Sequence, residues 1–242
     1  MTHPIENNTY KLLLEEVKDQ IKTSQLQSVT AANKEMLFLY WKLGLLILRN
    51  QTEKGWGSKV IEMLSSDLKK EFPRHKGFSV RNLNYMRKFA LEYPAAVIGL
   101  LNETTKRLRD SGLTQTAVLN VFQQYLPQAV DQNNITVNQN FEIMQQAVAQ
   151  NTAQLFRESV LSSLSWSHHI ILMDKEPLIS KRFWYIHHAI EHGISRNILA
   201  IQMESGLFER QVMAKKITNF KRVLPPVNSD YADYILKDPY IF

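Results

Sequence analysis

Four side chains between Arg81 and Lys88 have the types and spacing to hold a polyanion. At about 100° per residue, a helix opening after Ser79 sets Arg81, Asn84, Tyr85 and Lys88 on one arc. Arginine forks onto guanine, asparagine onto adenine, and lysine neutralises phosphate, so this arc suits a helix laid in a major groove. Two other clusters could seed catalysis. His188, Glu191 and His192 spell the H-x-x-E-H pattern of some zinc peptidases, in which two histidines on one helical face grip the metal beside a catalytic glutamate. Here the second histidine falls just before Gly193, a place that suits a histidine facing the helix C-terminal dipole. A chance match to so short a pattern is easy. His168, His169 and Asp174 could bind metal or exchange protons, but a polar turn between helices explains them equally well. There is no phosphate-cradling glycine loop, no Gly-x-Ser-x-Gly elbow and no paired-carboxylate motif. No catalytic residue, metal or cofactor is therefore expected.

The elements around the basic arc are readable. Val60, Ile61, Leu64, Leu68 and Phe72 recur at spacings of three and four, which predicts a helix stopped by Pro73. Arg74, His75 and Lys76 fill a charged turn, Gly77 is expected to permit the tight reversal, and Ser79 to N-cap the next helix. That helix should bury Leu83, Met86, Phe89, Ala90 and Tyr93 and end at Pro94. From Lys54 to Lys88 nine basic residues, Lys59, Arg74 and Lys76 among them, stand against three acidic ones. The excess of +6 equals the formal charge of the whole chain. The positive field is thus local, as expected where a polyanion binds, although solvated lysines on a small helical pair would give the same count.

Before this pair, Tyr10 to Gln27 reads as an amphipathic helix with Leu13, Leu14, Val17, Ile21 and Leu26 inward. Ser28, Val29 and Thr30 read as a break, and Ala31 to Arg49 as a second helix, apolar nearly all round and so central. Trp56 between two glycines reads as a hydrophobic plug rather than a stacking platform. Residues 94–151 are rich in Gln and Asn and read as two weakly amphipathic helices around a loop near 127–138. Pro177 fits the first turn of a helix through His192, with Phe183, Trp184, Ile186 and Ile190 available for burial. Gly193, Ser195, Arg196 and Asn197 then echo the glycine, serine cap and Arg-Asn opening seen at Gly77 to Asn82, suggesting a second helix-turn-helix. Gly206 should cap that helix, followed by another from Phe208 to Phe220 and a linker from Pro225.

With no cysteine, the chain has no disulfide framework, thiolate metal site or cysteine nucleophile. The N-terminus lacks an apolar signal core, and the longest apolar stretch, Met36 to Leu48, is too short for a membrane span. A cytoplasmic, all-α, multi-helix protein is expected.

Several of these motifs in order resemble the N-terminal domain of the YhcG-like bacterial family. They are Trp41 to Gly44, Gly55 to Ser58, Phe78 to Arg87, Leu164 to His168, Trp184 and Tyr185, Gly193 to Asn197, Glu204 to Arg210, and Lys237 to Phe242. The resemblance spans nearly the whole chain and is interrupted by the Gln/Asn-rich stretch. It implies a helical domain over residues 8–224, with an insertion at approximately 94–151, and a linker over 225–242 toward a nuclease-like PD-(D/E)XK domain missing from this chain. It also implies a setting of DNA cleavage and defence, without supplying catalytic or base-contacting residues. The expected role is a double-stranded DNA-binding module using Lys59, Arg74, Lys76, Ser79, Arg81, Asn84, Tyr85 and Lys88, with Ser195, Arg196 and Asn197 from the second unit. Helix-turn-helix proteins often bind as dimers, so a homodimer is compatible. The rival reading is a dimerisation or docking module for a nuclease partner, using the Gln/Asn-rich helices and the apolar tail Tyr234 to Leu236.

Overall fold

The computed structural model describes residues 7–55, 57–111 and 152–213, which form helices joined by short connections, with no strand among the described residues. The expected all-α class holds. Contacts divide the chain into two compact units. The described residues of the first are 7–103 (without 56) and 152–166, and those of the second are 104–111 and 167–213.

The first unit is built on α1 (Asn7–Lys54), a single helix of 48 residues and about 72 Å. The break expected at Ser28 to Thr30 does not exist. Ser28 Oγ donates to the Ser24 carbonyl at 2.9 Å, so its hydroxyl is satisfied inside the helix, and no Gly or Pro stands there to stop it. Nor is the first half of the helix turned inward: Leu13, Leu14, Val17, Ile21 and Leu26 are all exposed. The second half behaves nearly as its composition predicts. Leu37, Phe38, Trp41 and Ile47 are buried, but Leu39 and Leu46 remain exposed on its outer side.

After α1 come α2 (Ser58–Glu71), α3 (Val80–Glu92) and α4 (Ala95–Ser111). α2 stops at Pro73 as expected, but its outer apolar residues Leu64 and Phe72 are more than a third exposed. α3 buries Leu83, Met86, Phe89 and Ala90, and Tyr93 behind it is fully enclosed. A short helix over 152–158, α5, adds Phe156, whose ring stands 5.6 Å from Trp41 and 6.2 Å from Phe89. Arg157 on α5 clasps Glu35 on α1, with Nη2 to Oε2 at 2.9 Å, and holds that carboxyl below the usual carboxylate range.

α1 crosses α3 at Gly44. A Cβ there would lie 2.0 Å from the Met86 carbonyl oxygen, so the helices meet backbone to backbone and only glycine fits. Gly77 departs from its expected role. It does not adopt positive φ, as Gly55, Gly193 and Gly206 do. A Cβ there would lie 2.6 Å from the Tyr40 hydroxyl, so a larger residue would have to displace the end of that side chain.

The second unit carries α6 (Trp166–Lys175, counted from Ser167), α7 (Ile179–Glu191) and α8 (Arg196–Glu204). Pro177 lies just outside α7, where its carbonyl accepts from Arg182 Nη2 at 3.1 Å. Phe183, Trp184 and Ile186 are buried, and Ile190 is exposed. Gly193 and Gly206 turn in the left-handed region, where glycine is favoured. The helix expected from Phe208 begins as expected and runs on in π form over Glu209–Met213, while its remainder from residue 214 lies outside the described residues. Trp56, most of the Gln/Asn-rich stretch and the stretch from residue 214, which includes the expected linker and apolar tail, lie outside the described residues.

Candidate nucleic-acid interface

The start and end of α3 are held by side chains from elsewhere in the first unit. Ser79 is extended and its Oγ accepts from the Asn82 N–H at 3.2 Å, the expected N-cap. Asn82 then reaches both ways: its Nδ2 donates to the Gly77 carbonyl, and its Oδ1 accepts from the Trp166 indole N–H at 2.6 Å. Trp166 stands edge-on to Tyr40 at 5.0 Å and to Phe89 at 5.4 Å. On α2, the buried hydroxyl of Ser65 donates to the Phe78 carbonyl at 2.7 Å. At the far end, the Trp41 indole donates to the Tyr93 carbonyl at 2.8 Å, and both residues are buried. Buried hydrogen bonds of this kind are costly to lose, so the axis of α3 is firmly set.

Its outward face forms a shallow depression of about 320 Å³ lined by Arg81, Asn84, Tyr85, Arg87, Lys88 and Leu91. The four residues expected to share an arc therefore come together. The Arg81 guanidinium lies 5.5 Å from the Tyr85 ring centre, and its Nη2 donates to the Tyr85 hydroxyl at 3.4 Å. Such stacking restrains a guanidinium before any partner arrives. Asn84 Nδ2 donates to the Val80 carbonyl at 3.0 Å, which fixes its rotamer on the lining of the depression. Lys88 Nζ stands 3.9 Å from Glu92 Oε1, a loose pair of the kind that contributes little when exposed.

Arg87 is the member that helical spacing did not select. It lines the same depression, and its Nε is buried with no hydrogen-bond partner. A buried guanidinium donor left unpaired costs free energy, and swinging the side chain toward an anionic oxygen in the depression would relieve that cost. The sequence signal available was its place beside Lys88, which had entered only the charge count.

Lys59, Arg74, Lys76 and Ser79 do not line this depression. Lys59 is exposed at the start of α2, and Arg74 and Lys76 are exposed in the turn over 72–79. Ser79 is committed to its cap. In the second unit, Ser195 caps α8 through Ile198 N–H at 3.5 Å, and Arg196 Nη1 donates to Asn197 Oδ1 at 3.2 Å. All three are exposed.

The histidine clusters are spent in packing. His188 lies flat on Trp184 at 4.9 Å and edge-on to His192 at 4.6 Å. Burial, with His192 adding repulsion, pushes the His188 imidazole down to about 4. His187, within 3.2 Å of the Thr105 hydroxyl, is pushed down to about 4 by burial. His168 Nε2 donates to the Ile194 carbonyl at 3.0 Å, His169 is fully buried and Asp174 is exposed. Among the described residues no group of three or more His, Asp or Glu is arranged to hold a metal ion. Among them also, no helix is long and apolar enough to cross a membrane.

The family model of the DUF1016 N-terminal domain matches residues 16–109 and 112–210, most of the chain. No curated protein and no solved structure matches it.

Proposed function

This chain belongs to the DUF1016 N-terminal domain family, and we propose that it is a DNA-binding module of a nuclease-associated protein. The observation that carries this reading is the depression on α3, where Arg81, Arg87 and Lys88 converge with Asn84 and Tyr85 on a helix held at both ends. A concave basic surface on a rigid element binds a phosphate backbone with no backbone left to order, so that only its long side chains lose freedom. Outward-facing Arg81 and Asn84 add base-edge chemistry in a major groove. In this reading α2 and α3 form a helix-turn-helix whose connection, residues 72–79, is longer than the usual three or four residues. Arg74 and Lys76 on that connection then serve phosphates flanking the groove, as does Lys59. Ser195, Arg196 and Asn197 are a second, separate set of contacts. The resemblance to the YhcG-like family supplies the nuclease-associated, defence-type setting; the basic surface supplies the choice of duplex DNA as partner.

The test is binding to a labelled random-sequence duplex across a salt series, with the wild type beside Arg81→Ala, Arg87→Ala and Lys88→Ala. The affinity should fall with salt at a slope of about 0.9 per phosphate contact, and each variant should flatten that slope by about one contact. Wild-type protein that stays unbound at low salt would sink the reading, leaving the α3 face a solvated surface.

A further inference from the structure

The first half of α1 has an apolar stripe that none of the described residues covers. Every residue from Tyr10 to Ala32 is exposed. Tyr10, Leu14, Val17 and Ile21 follow one another in alternating steps of four and three, each between 37% and 53% exposed. The same steps continue through the small residues Ser24, Ser28 and Ala31. The stripe is about 31 Å long at the rise of an α-helix. An apolar repeat every 3.5 residues keeps its seam facing a second helix along its whole length, whereas an isolated helix drifts away from such a line.

We propose that this segment pairs with the same segment of a second copy of the chain, in parallel and in register. A second copy carries the matching length and period. The flanks decide the direction. Beside the seam, one flank carries Lys11 and Lys18, and the other carries Leu13, Gln20 and Gln27. Parallel pairing sets Lys18 of one copy over Leu13 of the other, and Gln20 against Gln25. Lys18 already pairs with Glu15 of its own helix at 2.8 Å, so its head is balanced and its aliphatic stem is free to cover the exposed Leu13. Antiparallel pairing instead sets like flank on like flank and leaves Leu13 facing the partner's Leu13, Gln20 and Gln27 flank, with no lysine stem to cover it. The segment itself is neutral, with Lys11, Lys18 and Lys22 against Glu15, Glu16 and Asp19, so two copies meet without net repulsion. Two helices in contact over this length bury on the order of 1,000 Å², the lower end for a specific interface, which implies a reversible dimer.

The absence of cysteine makes the geometry directly readable. Leu14→Cys and Val17→Cys each place one thiol on the seam, and Asp19→Cys places one on the opposite side. In a parallel in-register pair, identical seam positions face each other within disulfide reach. Under mild oxidation of the full-length chain, the two seam variants should form covalent dimers at least about tenfold faster than Asp19→Cys. The wild type should show its mass doubling with concentration. Val17→Glu with Ile21→Glu, at sites exposed in the single chain, should stay folded and keep the monomer mass. Equal cross-linking of all three cysteine variants, or seam variants that do not cross-link while the mass still doubles, would overturn the parallel pairing. A monomer mass at about 200 µM would overturn self-association outright and point to another segment of the same chain as the cover.

Discussion

Replacing Gly44 by alanine should destabilise the first unit, against the helix-forming preference of alanine. A Cβ built on Gly44 lies 2.0 Å from the Met86 oxygen, 2.6 Å from the Met86 carbonyl carbon and 2.8 Å from Ala90 Cβ. The first two atoms are helix backbone and have no rotamer to yield. An ordinary contact begins near 3.4 Å, roughly 1.4 Å more, so α1 and α3 must part locally by about that distance. Around this crossing Leu37, Trp41, Leu83, Met86 and Phe89 are 0–1% exposed and have no slack to absorb the movement. Overpacking of this kind costs about 1–3 kcal/mol or more, while Gly-to-Ala in a helix returns about 0.5–1 kcal/mol. The expected net loss is about 2 kcal/mol. Gly99 is the internal control: it also lies within a helix, and a Cβ there meets nothing within 4 Å. Gly99→Ala should therefore stabilise by about 0.5–1 kcal/mol. In urea unfolding followed by circular dichroism, with m on the order of 2–3 kcal/mol/M, Gly44→Ala should lower the midpoint by close to ~1 M and Gly99→Ala should raise it slightly. Adding Ala90→Gly to Gly44→Ala should rescue little, because the severe contact is with backbone. If Gly44→Ala shifted the midpoint upward alongside Gly99→Ala, the backbone-to-backbone crossing would be refuted.

Two further outcomes follow from the side-chain geometry. Trp166→Phe leaves Asn82 Oδ1 without its indole donor and should lower stability by about 1–3 kcal/mol; an unchanged urea midpoint would show that this bond carries nothing. His187 and His188 titrate at about 4 in the fold against an ordinary 6.5, so below 6.5 the unfolded chain binds more protons than the folded one. Their contribution is complete above pH 6.5 and is lost as pH falls toward 4, at most about 3 kcal/mol each. His187→Gln with His188→Gln should flatten the fall in melting temperature between pH 6.5 and 4; an equally steep fall in that variant would remove these histidines as its source.

Local signals marked α3 well. Ser79, the three-and-four spacing of Leu83, Met86, Phe89 and Ala90, and Pro94 each act within a few residues, and the arc of Arg81, Asn84, Tyr85 and Lys88 follows from the helical period alone. Arg87 escaped because its Cβ lies off that arc and only a long side chain brings it to the depression. The continuity of α1 escaped because Ser favours caps and turns and β-branched Val and Thr are weak helix formers, whereas Ser28 is satisfied by a bond to Ser24 within the helix. Gly44 and Asn82 are tertiary in origin: their roles depend on Met86, Ala90 and Trp166, which no local window contains. Gly77 looked like a reversal residue, yet the constraint upon it comes from Tyr40.

The two indoles that hold α3, Trp166 through Asn82 at its start and Trp41 through Tyr93 at its end, also act as lamps fixed to the frame of the depression. Trp41 is 1% exposed and hydrogen-bonded to a carbonyl, so its emission is shielded from the solvent and from anything that settles on the outer face. A partner docking onto an already rigid helix leaves that emission nearly constant. One that works by prying α3 from its seat changes it at once. With the other two tryptophans, Trp56 and Trp184, replaced by phenylalanine, intrinsic fluorescence thus separates occupancy of the face from displacement of the helix beneath it, with no label attached.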